Sequence, residues 1–155
     1  MQTQSFMVDV PGGQVFVQRW QPASATSSAA CPIVLLHESL GSVGQWHDFP
    51  ARLAQATGRE VLAYDRLGFG QSSPRSDAPS LQFIAHEAQQ HFPALMAALG
   101  LERYALLGHS VGAVMALHIA AAHPAQCQAV LSLSAQAYVQ PQTLEGIRKD
   151  RSQQF

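Results

Sequence analysis

The chain has 155 residues and a formal net charge of −1, with 47% hydrophobic and only 12% charged residues. That length fits one domain of the usual ~100–200 residues, and the apolar share excludes a disordered chain. One lysine, Lys149, and scattered arginines exclude both the basic stripe of a nucleic-acid surface and the polybasic patch of a membrane surface.

Two cysteines, Cys31 and Cys127, cannot form a dense disulfide framework, and neither has a neighbour at metal-ligand spacing. No His/Cys/Asp set has metal spacing, so neither metal nor cofactor is expected. Met1 to Met7 carries no cationic region and no apolar run, so no secretion signal is expected and a cytoplasmic location is the default. The longest helix-like apolar stretch, Ala113 to Ala122, is too short to span a bilayer.

Phe6–Val10 and Gln14–Trp20 are β-rich runs around Pro11-Gly12-Gly13, which predicts a hairpin. Gln21 to Ala30, rich in Ser, Ala and Thr, reads as a surface loop. Pro32–Leu36 is a continuous apolar run, as expected of a strand covered on both faces. Trp46, Phe49, Leu53 and Ala54 follow at helical spacing as helix-to-sheet core, with Pro50 tolerable only in the first turn. Gly58 closes that helix, and Val61–Tyr64 is the next strand. Ser80 is the expected N-cap of a helix carrying Leu81, Ile84, Ala88, Phe92, Leu95 and Leu99, kinked at Pro93 and stopped by Gly100. Tyr104–Leu107 is strand, Val111–His123 helix, and Ala129–Leu133 strand. Such alternation implies βαβ units, a parallel sheet and an α/β fold.

The sharpest motif is Gly108-His109-Ser110-Val111-Gly112, lying between a buried strand and a helix. Gly-x-Ser-x-Gly alone arises by chance in roughly one such chain in twenty at ~7% Gly and Ser, so the strand-turn-helix context carries the weight. In that context the motif reads as a nucleophile elbow, which requires strained φ/ψ at Ser110. A phosphate cradle would need Gly-Lys-Ser/Thr or Gly-x-Gly-x-x-Gly, and neither is present at this turn. A purely structural turn serine is the bland reading.

The chain resembles the α/β-hydrolases in four places and in the expected order. Leu35-Leu36-His37-Glu38-Ser39-Leu40-Gly41 is similar to their oxyanion-loop segment, with Glu38 and Ser39 where glycine is frequent. Tyr64-Asp65-Arg66-Leu67-Gly68-Phe69-Gly70-Gln71-Ser72 is similar to their Asp-Arg-x-Gly-x-Gly-x-Ser turn. Phe92–Gly100 leads into the elbow, which is the fourth. The resemblance implies a mostly parallel sheet of order 1-2-4-3-5-6 with an N-terminal antiparallel hairpin. It also implies that Ser110 attacks a small acyl substrate (ester, thioester or similar). The N–H of Val111 and one from Ser39 or Leu40 would then stabilise the oxyanion, at about 3–4 kcal/mol per donor.

A serine needs a base, and in this fold the acid and then the histidine follow the serine in the chain. After Ser110 come only His118 and His123, both on the helix that Ser110 opens. His118 is about 12 Å along that helix at 1.5 Å per residue. The later acids, Glu145 and Asp150, have no histidine after them. His37 as a substitute base is weighed against a loop-holding role, and Asp65 as the acid against capping its glycine-rich turn. His109 is expected to pack against neighbouring strands, Trp46 to line a pocket with His37, and His47, His86 and His91 to be solvated. The expectation is therefore an amino-terminal portion of a serine hydrolase, with residues 1–140 a partial core and 141–155 the start of a cap helix, inactive or nearly so alone. A non-catalytic binding or scaffold protein, or a partner chain supplying the missing half, are the rivals. The same order places the elbow strand between those of Cys31 and Cys127, about 10 Å apart and unbonded. It also leaves Ala129–Leu133 an uncharged edge open to self-association.

Overall fold

The computed structural model describes residues 1–23, 30–75, 80–135 and 141, 142, 145 and 148. Its strands are β1 (Gln2–Val10), β2 (Gly13–Gln21), β3 (Ile33–Leu36), β4 (Val61–Tyr64), β5 (Tyr104–His109) and β6 (Cys127–Leu133). They form one sheet of order β1-β2-β4-β3-β5-β6. The hairpin β1/β2 and the β2/β4 pair are antiparallel, and β3/β4, β3/β5 and β5/β6 are parallel. Gly12 and Gly13, at φ 98° and 146°, make the hairpin turn that a side chain would resist.

The apolar runs of β3, β4 and β5 are divided between the two faces by the alternation of strand side chains. Val34, Leu36, Leu62, Tyr64 and Leu106 pack with Phe92, Leu95, Met115 and Ile119 on one face. Ile33, Leu35, Val61, Ala63 and Leu107 pack with Ala54 and Trp20 on the other. Helix α1 (Phe49–Thr57) covers this second face; α4 (Val111–Ala122) and the α2–α3 segment cover the first. Pro50 lies in the first turn of α1, where its missing N–H costs nothing, and Gly58 ends it at φ 64°.

Two helices differ from the sequence expectation. Trp46 is not in α1: it closes a separate 3-10 turn, Val43–Trp46, and His47 at φ 49° breaks the backbone between them. Phe49 is 37% exposed rather than core. The helix expected from Ser80 onward starts at Phe83, and Leu81 is fully exposed. Instead of a simple kink, α2 (Phe83–His86) passes through a π-helical turn, Glu87–His91, into α3 (Phe92–Ala98). The wide turn lies where the Pro93 ring would meet the carbonyl of Gln89 in a regular helix. Gly100, at φ 67°, stops the segment as expected.

Among the described residues no helix is long and apolar enough to cross a membrane. Cys31 and Cys127 are free thiols, and β5 does separate β6 from β3. Of residues 141–155, only 141, 142, 145 and 148 are described; they are helical and exposed, and the remainder of the expected cap helix lies outside the described residues.

Among the described residues β6 has a hydrogen-bonded neighbour on one side only, and it exposes Leu131 (52%) and Leu133 (39%). Unpaired N–H and C=O groups flanked by leucine invite another strand. Light scattering of the 155-residue chain is therefore expected to rise with concentration, and Leu131→Lys to suppress that rise while leaving the melting temperature within a few degrees. A monomer at all concentrations would count against an adhesive edge.

Candidate functional site

Strand β5 ends in Gly108 and His109, α4 begins at Val111, and Ser110 turns the chain between them at φ 55°, ψ −119°. Holding a non-glycine residue there costs about 1–3 kcal/mol and needs support on both sides. The Ser110 N–H donates to Leu133 O (2.9 Å), and its carbonyl accepts from Ala113 N (3.0 Å) and Val114 N (3.3 Å). The flanking glycines are set by backbone contact. A Cβ on Gly108 would overlap the Gly112 carbonyl, and one on Gly112 would overlap the carbonyls of Leu36 and His37. Thus α4 presses its first turn against the end of β3, and Ser110 stands beside the loop that follows His37.

That loop is held from behind by Arg66. Its guanidinium, 5% exposed, donates to His37 O (2.6 Å), Glu38 O (2.6 Å) and, at longer range, Ser39 O (3.4 Å). In a trans peptide the N–H points opposite to the carbonyl of the same unit. Fixing the carbonyls of Glu38 and Ser39 therefore turns the N–H groups of Ser39 and Leu40 away from the cation. Neither N–H, nor that of Val111, has an acceptor among the described residues. Phe69 lies 4.9 Å from the guanidinium. Burial pushes the Arg66 pKa down and the charge of Glu87 pushes it back. Glu87, buried in the π turn, accepts a hydrogen bond from the Tyr64 hydroxyl at 2.5 Å.

His37 is not placed as a base. Its Nε2 accepts from Arg66 N (3.1 Å), which leaves the proton on Nδ1 to be donated to Glu38 O (2.9 Å). Burial first, and the Arg66 charge second, lower its pKa to about 3. Asp65 is likewise committed: Oδ1 accepts from Val43 N (2.6 Å) and Oδ2 from Gln71 N (2.7 Å), over Gly70, where a Cβ would overlap the carboxylate. His109 departs from expectation, being exposed rather than packed between strands. His47 is exposed, whereas His86 and His91 are half-buried. His118 is exposed on α4, and His123 Nε2 lies 2.9 Å from Ala88 O. Among the described residues no cluster of His, Cys, Asp and Glu could hold a metal ion. A cavity of about 190 Å³ opens beside the elbow, lined by His37, Glu38, Ser42, Gln45, Trp46 and His109. Its Trp46 ring stacks on Phe49 at 5.7 Å.

The family described as alpha/beta hydrolase fold matches residues 32–155. The chain belongs to the α/β-hydrolases. A proline iminopeptidase of Lactobacillus helveticus (strain DPC 4571) is 35% identical over 101 residues, covering 64% of this chain and 34% of that protein. A 1-acylglycerol-3-phosphate O-acyltransferase of Pongo abelii is 35% identical over 96 residues, 61% of this chain and 27% of that protein. The crystal structure of the Mycobacterium smegmatis proline iminopeptidase superposes with a TM-score of 0.73 at 32% identity, covering 86% of this chain and 44% of that one. The chain thus spans about a third of the length of the curated relatives it matches.

In this α/β-hydrolase chain the sequence reading brought together Ser110, Val111, Ser39 and Leu40, and placed Trp46, His37 and His109 at one cavity. It gave no role to Arg66, Glu87 or Gln45. The signal for Arg66 was present in its motif, beside an aspartate and glycines, but its acceptors are main-chain carbonyls that no side-chain pattern reveals.

Two measurements probe this architecture. Gly112→Ala is expected to lower the urea midpoint by an amount equivalent to about 2 kcal/mol or more, because backbone has to move; a neutral substitution would contradict the close approach. His37 is neutral in the fold yet protonates below about 6.5 when unfolded. Stability from this group is thus complete above pH 6.5 and is lost as pH falls toward 3, by up to about 1.4 kcal/mol per unit. Urea midpoints measured across that range are expected to depend less on pH in His37→Gln than in the wild type.

Proposed function

We propose that this chain carries the nucleophile and oxyanion-binding part of a serine hydrolase for small acyl substrates such as esters or thioesters. Ser110 is the nucleophile in this reading. Its Oγ attacks the acyl carbon, and the oxyanion accepts hydrogen bonds from the Val111 N–H and from that of Ser39, with Leu40 the next candidate. The single observation that carries the reading is Ser110 at φ 55° in a strand-to-helix turn walled by Gly108 and Gly112. The start of α4 adds its positive dipole end at the same place. The acyl-transfer names of relatives, a proline iminopeptidase and an O-acyltransferase, lend support without choosing the substrate.

The 155-residue chain by itself is, on this proposal, inactive or nearly so. The proton of Ser110 needs an acceptor, and His37 has both ring nitrogens engaged. His118 and His123 lie on the helix that leads away from the serine, and Glu145 and Asp150 precede no histidine. The second reading is a non-catalytic α/β-hydrolase-like binding or scaffold protein, in which Ser110 is a turn residue only.

A fluorophosphonate probe separates the readings. Slow, saturable labelling of the wild type that disappears in Ser110→Ala is the expected result. An unlabelled wild type would favour the binding protein.

A further inference from the structure

The cavity beside the elbow has an unusual corner. Gly41 lies beneath two of its lining side chains, and a Cβ built there would meet Gln45 Oε1 at 2.7 Å, Glu38 Oε1 at 3.1 Å and Glu38 Cγ at 3.2 Å. The carboxylate of Glu38 and the carboxamide end of Gln45 therefore converge over one point of bare backbone. Neither side chain has a hydrogen-bond or ion-pair partner among the described residues. Arg66, the nearby cation, directs its guanidinium to main-chain carbonyls instead. No lysine or arginine lines the cavity; its remaining walls are Ser42, His37, His109 and the indole of Trp46. Among the acidic and basic side chains other than histidine, Glu38 alone lines the cavity, with Arg66 behind the loop within electrostatic range of it.

A carboxylate in a partly enclosed cavity attracts a cation more strongly than one in open water, and an indole adds attraction for an alkylammonium. It also repels a second negative charge, so an anionic acyl substrate is disfavoured there. We infer that Glu38, Gln45 and Trp46 form a subsite for a cationic group, a primary or secondary ammonium, carried by the ligand of the elbow site. The inference deepens the acyl-substrate reading and rests on it for the site's occupant. Glu38 is then a specificity residue that discriminates by charge next to the reacting centre, and Gly41 is the space that lets it converge with Gln45.

The test uses probes without an acyl carbon, so that binding does not depend on Ser110 as a nucleophile. Benzylammonium and its neutral counterpart benzyl alcohol are titrated into the 15N-labelled 155-residue chain at pH 7, following the amides of residues 38–46 and the indole N–H of Trp46. Benzylammonium is expected to bind about tenfold more tightly, with the preference shrinking at high salt. Glu38→Gln, which changes charge without changing shape, is expected to bring the two affinities within about twofold. Gly41→Ala places a methyl group against the flexible ends of Gln45 and Glu38 rather than backbone and is expected to weaken the preference as well. Ser110→Ala is expected to leave it intact. Equal binding of the two probes by the wild type, or a tenfold preference that survives Glu38→Gln, overturns the subsite. Loss of fluorophosphonate labelling with the preference intact overturns the hydrolase reading alone.

Discussion

Backbone meets backbone where the first turn of α4 crosses the end of β3, and the geometry of the candidate site follows from that contact. Gly112 lies against the carbonyls of Leu36 and His37, and Gly108 against Gly112 and Ala113. No side chain separates the strand end from the helix start. The turn between β5 and α4 is consequently too tight for ordinary backbone at its apex, and Ser110 takes φ 55°. The strain is tolerated because Leu133, at the end of β6, accepts the Ser110 N–H, and because the buried faces of β3 and α4 hold the two elements together.

A second layer of order is polar. Burying a guanidinium is costly unless its donors are satisfied and its charge compensated. Arg66 meets both conditions, through carbonyls of residues 37–39, the ring of Phe69 and the charge of Glu87. Glu87 reaches this position because the π turn before Pro93 brings it inward to Tyr64. The irregular helix and the loop beside Ser110 are therefore parts of one electrostatic arrangement, joined through a single side chain. Asp65, the residue before Arg66, performs a related task by holding the 3-10 turn at Val43 and the turn at Gln71.

Much of this was legible in the residues. Continuous apolar runs announced β3, β4 and β5, and Gly-x-Ser-x-Gly between strand and helix announced the elbow, because only glycine permits such close backbone approach. The parts that were not legible depend on geometry between distant segments. Trp46 and Phe49 share a helical spacing, yet His47 interrupts the helix, and spacing carries no record of φ. Pro93 signalled a break without saying that the break would be a π turn. Glu38 stood out as a departure from glycine, but its convergence with Gln45 depends on the path of the loop around Gly41. The place of His109 in the elbow suggests packing, whereas it is exposed at the end of β5 and lines the cavity.

The way Arg66 grips the loop has an evolutionary consequence. Its hydrogen bonds to the loop go to main-chain carbonyls, which every amino acid supplies, and none goes to the side chains of residues 38–40. The orientation of the loop's peptide units is thereby uncoupled from the identity of its residues. Substitutions at these positions can drift, and charge or bulk can be introduced facing the cavity, while the free N–H groups keep their direction. A glutamate and a serine at positions 38 and 39 are the kind of residues such an anchor accommodates: the side chain can change while the peptide units keep their direction.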